Sequence, residues 1–250
     1  GRTRQDMLAT AAVVPTMTGQ IDDPRDVQRM RIQFSGVQLP PGDLDGAGQS
    51  VSGDVIEIRN PRTLEPGPAD PDIARYLKPE AFIESDADEI RVESAKATRG
   101  AVDDRARAEQ LVRYVNALLE KKPTISLPSA REVLRTKIGD CNEHTVLYVA
   151  MARAAGLPAR IAVGLAWVNG AFYYHAWPEV YLADGPTRGY WLPVDPTFNQ
   201  FPADGAHLRI VRGGLDRQAA ILPLIGRLRM SIIDLDLAEG TTRVTVGASR

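Results

Sequence analysis

The chain has 250 residues, 44% of them hydrophobic and 25% charged, with a formal net charge of -2. Such a chain is long enough to bury a sizeable core, in one large domain or two small ones. Its charge excludes long-range attraction to nucleic acid or to an anionic membrane, and no basic run supplies a local one.

Residues 1–25 carry no decisive pattern. Met30 to Val37 alternates apolar and polar residues, as a half-buried strand does, and Val51 to Arg59 reads as a second strand. Between them Pro40-Pro41-Gly42 opens a Gly- and Asp-rich loop. Asn60 to Pro71, with Pro61, Pro66, Pro68 and Pro71, reads as an irregular linker.

Helical spacing follows. Asp103 to Lys121 puts Leu111, Val115, Leu118 and Leu119 on one stripe, and a shorter helix is expected over Ser129 to Arg135. Cys141 to Ala155 places Leu147, Ala150, Met151 and Ala154 at helical spacing, with Val146 and Val149 widening the apolar surface. Gly156 and Pro158 end it. A helix apolar most of the way round is a central, buried one.

The period then changes to two. Ala159 to Val168, Phe172 to Leu182, Tyr190 to Val194 and Leu208 to Val211 read as strands, the first two joined by a hairpin at Asn169-Gly170. A short helix over Leu215 to Ile221 and strands over Arg227 to Leu237 and Thr242 to Val246 complete the pattern. Helices followed by antiparallel strands make the fold class α+β.

Cys141 is the chain's one cysteine, so no intrachain disulfide exists and cysteine usage does not fix the compartment. It stands where Ile138-Gly139-Asp140 enters the apolar helix. Asp140 is placed to cap that helix, with Glu143 completing a capping box. In the first turn, backbone N–H groups and the helix dipole favour a thiolate, which predicts a lowered thiol pKa. The same groups suit an oxyanion. The competing reading of a lone cysteine is a buried structural thiol.

Alternation along Phe172 to Leu182 puts His175, Trp177 and Glu179 on one face and Ala176, Val180 and Leu182 on the core face. On the next strand Leu192 and Val194 point inward, leaving Trp191, Pro193 and Asp195 on the opposite face. If these strands are neighbours, Asp195 can hold one nitrogen of His175 while the other meets Cys141. The competing reading is an exposed histidine and a turn-forming aspartate before Pro196.

These residues sit in four blocks. They are Gly139-Asp140-Cys141-Asn142-Glu143-His144-Thr145, Ala152-Arg153-Ala154-Ala155-Gly156-Leu157-Pro158-Ala159-Arg160, His175-Ala176-Trp177-Pro178-Glu179-Val180-Tyr181 and Trp191-Leu192-Pro193-Val194-Asp195-Pro196-Thr197. In order and spacing they resemble the core of the bacterial transglutaminase-like superfamily over residues 100–212. The resemblance implies a papain-like core, with a central helix carrying the nucleophile packed on an antiparallel sheet. It implies Cys141 as nucleophile, His175 as general base and then acid, and Asp195 as the group orienting His175. His144, Trp177 and Glu179 are expected to bind substrate or support the site.

The expected function is a thiol enzyme that cleaves or transfers amide bonds of peptide or protein substrates through a thioester, leaning to hydrolysis. Transamidation is the alternative, and a binding or scaffolding module of a larger envelope protein the third reading. Upstream of Cys141 the sequence Arg135-Thr136-Lys137 offers no tryptophan or glutamine as a second oxyanion donor. No cofactor or metal is expected: Cys141, His144 and His175 lack the second paired spacing of a zinc site, and no acidic loop suits calcium.

Residues 1–90 are expected to form a β-rich flank that pairs with C-terminal strands over 226–250, around a catalytic core over 91–225. No apolar stretch approaches the roughly 20 residues that span a bilayer, and the first residues given show no basic segment followed by an apolar core and cleavage site. The sequence opens Gly1-Arg2-Thr3 without methionine, so it is expected to be a piece of a longer chain. A bacterial periplasm or cell envelope is the expected location.

Overall fold

Alternating and helical patterns in this sequence become eleven strands and five helices in the computed structural model, which describes residues 12–123 and 129–238. In chain order they are β1 (Val27–Ser35), β2 (Gln49–Ser52), β3 (Val55–Arg59), β4 (Gly67–Pro68), α1 (Asp88–Ala97), α2 (Asp104–Leu118), β5 (Glu120–Lys121) and α3 (Ala130–Thr136). Then come β6 (Ile138–Gly139), α4 (Cys141–Ala154), β7 (Ala159–Val168), β8 (Ala171–Ala183), β9 (Arg188–Pro193), β10 (His207–Arg212), α5 (Leu215–Ile225) and β11 (Arg229–Leu237). The class is α+β. No helix among the described residues is long and apolar enough to cross a membrane.

By contact the chain divides into two units, and β7 and β8 run from one into the other. The first comprises Gly1–Thr63, Val163–His175 and Asp204–Arg250. Its four-stranded sheet has the order β11-β1-β3-β2. Met30 of β1 lies opposite Ile58 and Leu235, and Ile32 opposite Ile56 and Ile232, so one face is a continuous apolar row. These side chains are buried, as the period-2 pattern requires. The N-terminal flank thus pairs with β11. The expected strand over Thr242 to Val246 lies outside the described residues.

One expected strand is really two. Val51 to Arg59 breaks at Gly53, whose φ of +61° lies in the left-handed region, and β2 turns back onto β3 with Val51 opposite Ile56. Within this unit β10 pairs with the far part of β7. A Cβ on Gly164 would come within 2.0 Å of the Leu208 carbonyl oxygen, so only glycine permits that approach.

The second unit comprises Leu64–Ala162 and Ala176–Ala203. Its centre is α4, buried from Asn142 to Arg153. Fully burying side chains such as Leu147 and Met151 contributes about 1.5–3 kcal/mol each. Polar ties fix the neighbours. Ser94 Oγ of α1 donates to the Met151 carbonyl at 2.7 Å, and Tyr148 Oη donates to the Ala108 carbonyl of α2 at 3.1 Å. Thr145 Oγ1 donates to the Ala176 carbonyl of β8 at 3.1 Å, pinning the helix to the sheet. There β8 pairs antiparallel with β9, Val180 opposite Leu192, and β9 pairs with the edge strand β4. The proline-rich segment expected as plain linker supplies that edge strand, where prolines are tolerated.

Candidate active site

The entry to α4 is built from backbone necessity. Asp140 has extended φ and ψ, its side chain accepts from the Asn142 N–H at 3.0 Å, and Glu143 Oε2 accepts from the Asp140 N–H at 2.9 Å. The capping box is complete. It demands glycine just before it, because a Cβ on Gly139 would lie 2.1 Å from Glu143 Cβ. Gly139 is further fixed by the parallel pairing of β5 with β6, Lys121 opposite Gly139.

Cys141 therefore occupies the first turn, half-buried. The expectation of a lowered thiol pKa is corrected. Burial pushes the thiol well above its ordinary range, the Asp140 carboxylate adds to this, and Asp195 and Glu143 raise it further. A hydrogen bond from the Ala176 backbone pulls the other way. Desolvation and neighbouring negative charge thus outweigh the helix dipole for the isolated thiol.

Asp195 is fully buried just beyond β9. Its backbone exchanges hydrogen bonds with Gln200 at 2.9 and 2.8 Å, and its Oδ1 accepts from the Phe198 N–H at 2.9 Å. From α2, Asn116 Nδ2 donates to the carbonyls of Pro196 and Thr197 at 2.8 and 3.2 Å. Arg113 Nη1 donates to Asn199 Oδ1 at 2.9 Å. Sequence reasoning missed Asn116 and Arg113, whose only signal is polarity on an otherwise amphipathic helix.

His144, three residues after Cys141 on α4, is completely buried. Its Nδ1 donates to the Asp140 carbonyl at 2.7 Å, while Nε2 has no hydrogen-bond partner among the described residues. Burial lowers its pKa, so the ring is held neutral. The Asp140 carbonyl, Asp195 and Glu143 act against the shift and Lys121 with it. Asn142, also buried, leaves both its amide oxygen and its amide nitrogen without a partner among the described residues.

Trp177 and Glu179 follow on β8. Both are buried, at 1% and 0% exposure, and so offer no open surface to a substrate. Glu179 Oε2 accepts from Arg160 Nε of β7 at 2.6 Å, and Arg160 stacks over the Trp191 ring at 3.8 Å. The expectation that His175, Trp177 and Glu179 lie on a face away from the core is corrected. Both faces of β8 are buried from Tyr174 to Leu182, and at Glu179 it is Arg160 that covers the side alternation left bare.

Cys141, His144, Trp177, Glu179 and Asp195 thus belong to one unit. His175 is the last residue of the other unit's segment and the residue directly before Ala176 on β8. In its own unit, His175 is buried with its ring centroid 5.7 Å from that of His207.

Residues 93–196 match the family model described as the Transglutaminase-like superfamily. Among solved structures, the chain is similar to a candidate cysteine protease from Cytophaga hutchinsonii. The identity is 17%, over 88% of this chain and 89% of that one, with a TM-score of 0.54. It is also similar to the periplasmic domain of TgpA from Pseudomonas aeruginosa, at 15% identity over 78% of this chain and 94% of that one, with a TM-score of 0.47. No curated protein sequence matches it. The first likeness carries the fold alone, a mixed arrangement of helices and sheet.

Proposed function

We propose that this chain, which matches the Transglutaminase-like superfamily model over residues 93–196, is a thiol enzyme attacking amide bonds of peptide or protein substrates through Cys141. One observation carries the reading. A capped helix start holds the thiol against the Ala176 backbone and within electrostatic reach of a buried Asp195, and His175 is the next residue along that strand.

The raised thiol pKa gives the histidine its task. A thiol that does not ionise alone needs a base acting as it attacks. His175 takes the proton from Sγ as sulfur adds to the substrate carbonyl carbon. Asp195 orients the ring and stabilises the imidazolium. Backbone N–H groups of the first turn of α4 bind the oxyanion. When the tetrahedral adduct collapses, the C–N bond breaks and His175 protonates the leaving amine, leaving an acyl thioester on Cys141. Water, deprotonated by His175, then resolves it to a carboxylic acid and the free thiol. An amine in place of water gives a new amide. The description of the Cytophaga hutchinsonii relative as a candidate cysteine protease favours water.

The test compares wild type with Cys141→Ala on a peptide library, with and without added primary amine, by product mass. Gain of 18 Da across a cleaved bond in wild type alone supports hydrolysis, while amine incorporation replaces it with transamidation. Identical product profiles for the two proteins refute the enzyme reading.

A further inference from the structure

A second acid–histidine pair lies in the first unit, outside the residues used above. His207 Nδ1 donates to Asp204 Oδ1 at 2.8 Å, and both side chains are at least nine-tenths buried. The carboxylate is itself fixed, since Asp204 Oδ1 also accepts from the Ala206 N–H at 2.9 Å. The backbone around it has no slack. Trp167 N–H donates to the Ala206 carbonyl at 3.1 Å, and a Cβ on Gly205 would meet the Val27 carbonyl oxygen at 2.6 Å. Asp204 and His207 therefore sit on a rigid entry to β10, which is the support a precisely aimed side chain requires.

Buried charged or hydrogen-bonded pairs rarely outperform apolar residues of equal volume, so their value lies in fixing one arrangement. What this arrangement faces is His175. The two rings are tilted by 60° and offer nitrogens within 4.8 Å of one another. With Nδ1–H committed to Asp204, the His207 ring cannot turn, and it presents one fixed edge to its neighbour.

We propose that His207, held by Asp204, is a positioning residue that packs against the His175 ring and fixes its orientation, leaving the two His175 nitrogens to Asp195 and Cys141. The proposal rests on the reading of His175 as the base for Cys141 only in its consequence for rate, not in the ring geometry itself. In reaction terms, His207 moves no proton to or from the substrate. It keeps the nitrogen of His175 that serves sulfur from wandering, and a misplaced catalytic group loses rate steeply.

The chain has 3 histidines, His144, His175 and His207, so long-range ¹H–¹⁵N spectra of the full chain resolve each ring and its tautomer. In His207→Phe, which keeps a ring but no nitrogen, the His175 nitrogen resonances are expected to shift as that ring loses its fixed orientation. Those of His144 should stay in place. Cys141 alkylation by iodoacetamide should fall roughly 10- to 100-fold, the scale of a displaced catalytic group. His207→Gln, which keeps a donor for Asp204, should recover part of that loss, and a structural role alone would predict none of these. Should His207→Phe fail to fold by circular dichroism, Asp204→Asn, nearly isosteric, carries the same two readouts. His175 resonances indistinguishable from wild type in the folded variant overturn the proposal. Shifted His175 resonances with alkylation unchanged in both the variant and His175→Ala would uphold the positioning and refute the base reading instead.

Discussion

Two regions of the second unit bury polar groups, and they treat them in opposite ways. Around Glu179 every charge is answered. Arg160 donates to Glu179, lies 3.7 Å from Asp70 and stacks on Trp191, whose Nε1 donates to Asp70 Oδ2 at 2.8 Å. At the start of α4, by contrast, Asn142 and His144 Nε2 are buried without partners among the described residues, and the thiol is pushed away from ionisation. Unpaired buried polar atoms each cost about 1–3 kcal/mol. A fold that satisfies one buried cluster fully and leaves the next unsatisfied is stabilised at the first and free to react at the second.

The sharpest break between the regions is Cys141→Ala. It should abolish turnover on any cleaved peptide while leaving the thermal midpoint nearly unchanged, measured by product mass and by calorimetry. Glu179→Ala should do the reverse, destabilising by about 3–5 kcal/mol in urea titration, because it strands Arg160 in the interior. Replacing both as Arg160→Met with Glu179→Leu should recover most of that loss. Gly139→Ala attacks the α4 entry directly. Its Cβ collides with Glu143, so the capping box opens, costing about 2–3 kcal/mol together with thiol reactivity. Asn116→Ala frees the Asp195 segment from α2 and should cost about 1–2 kcal/mol, with faster amide exchange confined to residues 195–200. The smallest effect belongs to Asn142→Leu, which removes the unpartnered amide and should raise stability by up to about 1 kcal/mol.

Much of this contrast was legible in the residues, and some was not. The capping box at Asp140 and Glu143, the hairpin at Asn169-Gly170 and the buried character of α4 follow from local chemistry alone, and all stand in the structure. Helix α1 escaped notice because its buried face is Ile90, Ser94 and Ala97, too small and polar to make a stripe, while Val92 points outward at 68% exposure. Its anchor is a hydroxyl, Ser94 to Met151, which periodicity does not register. Parity placed Glu179 beside His175 on β8 but not its burial, since Arg160 that covers it lies 19 residues earlier. The thiol shift was misjudged for the same reason: a helix dipole is written in local sequence, but desolvation and the approach of Asp195 come from packing. The pair Asp204 and His207 drew no attention because a three-residue spacing near a strand matches no expected motif.

The central claim is that Cys141, raised by burial, reacts because His175 takes its proton. The direct measurement is the iodoacetamide rate of wild type and His175→Ala across pH. The claim predicts that wild type reacts readily at neutral pH, whereas His175→Ala is slow there and still accelerating above pH ~8.5, the ordinary thiol range. Superimposable profiles for the two proteins would contradict it.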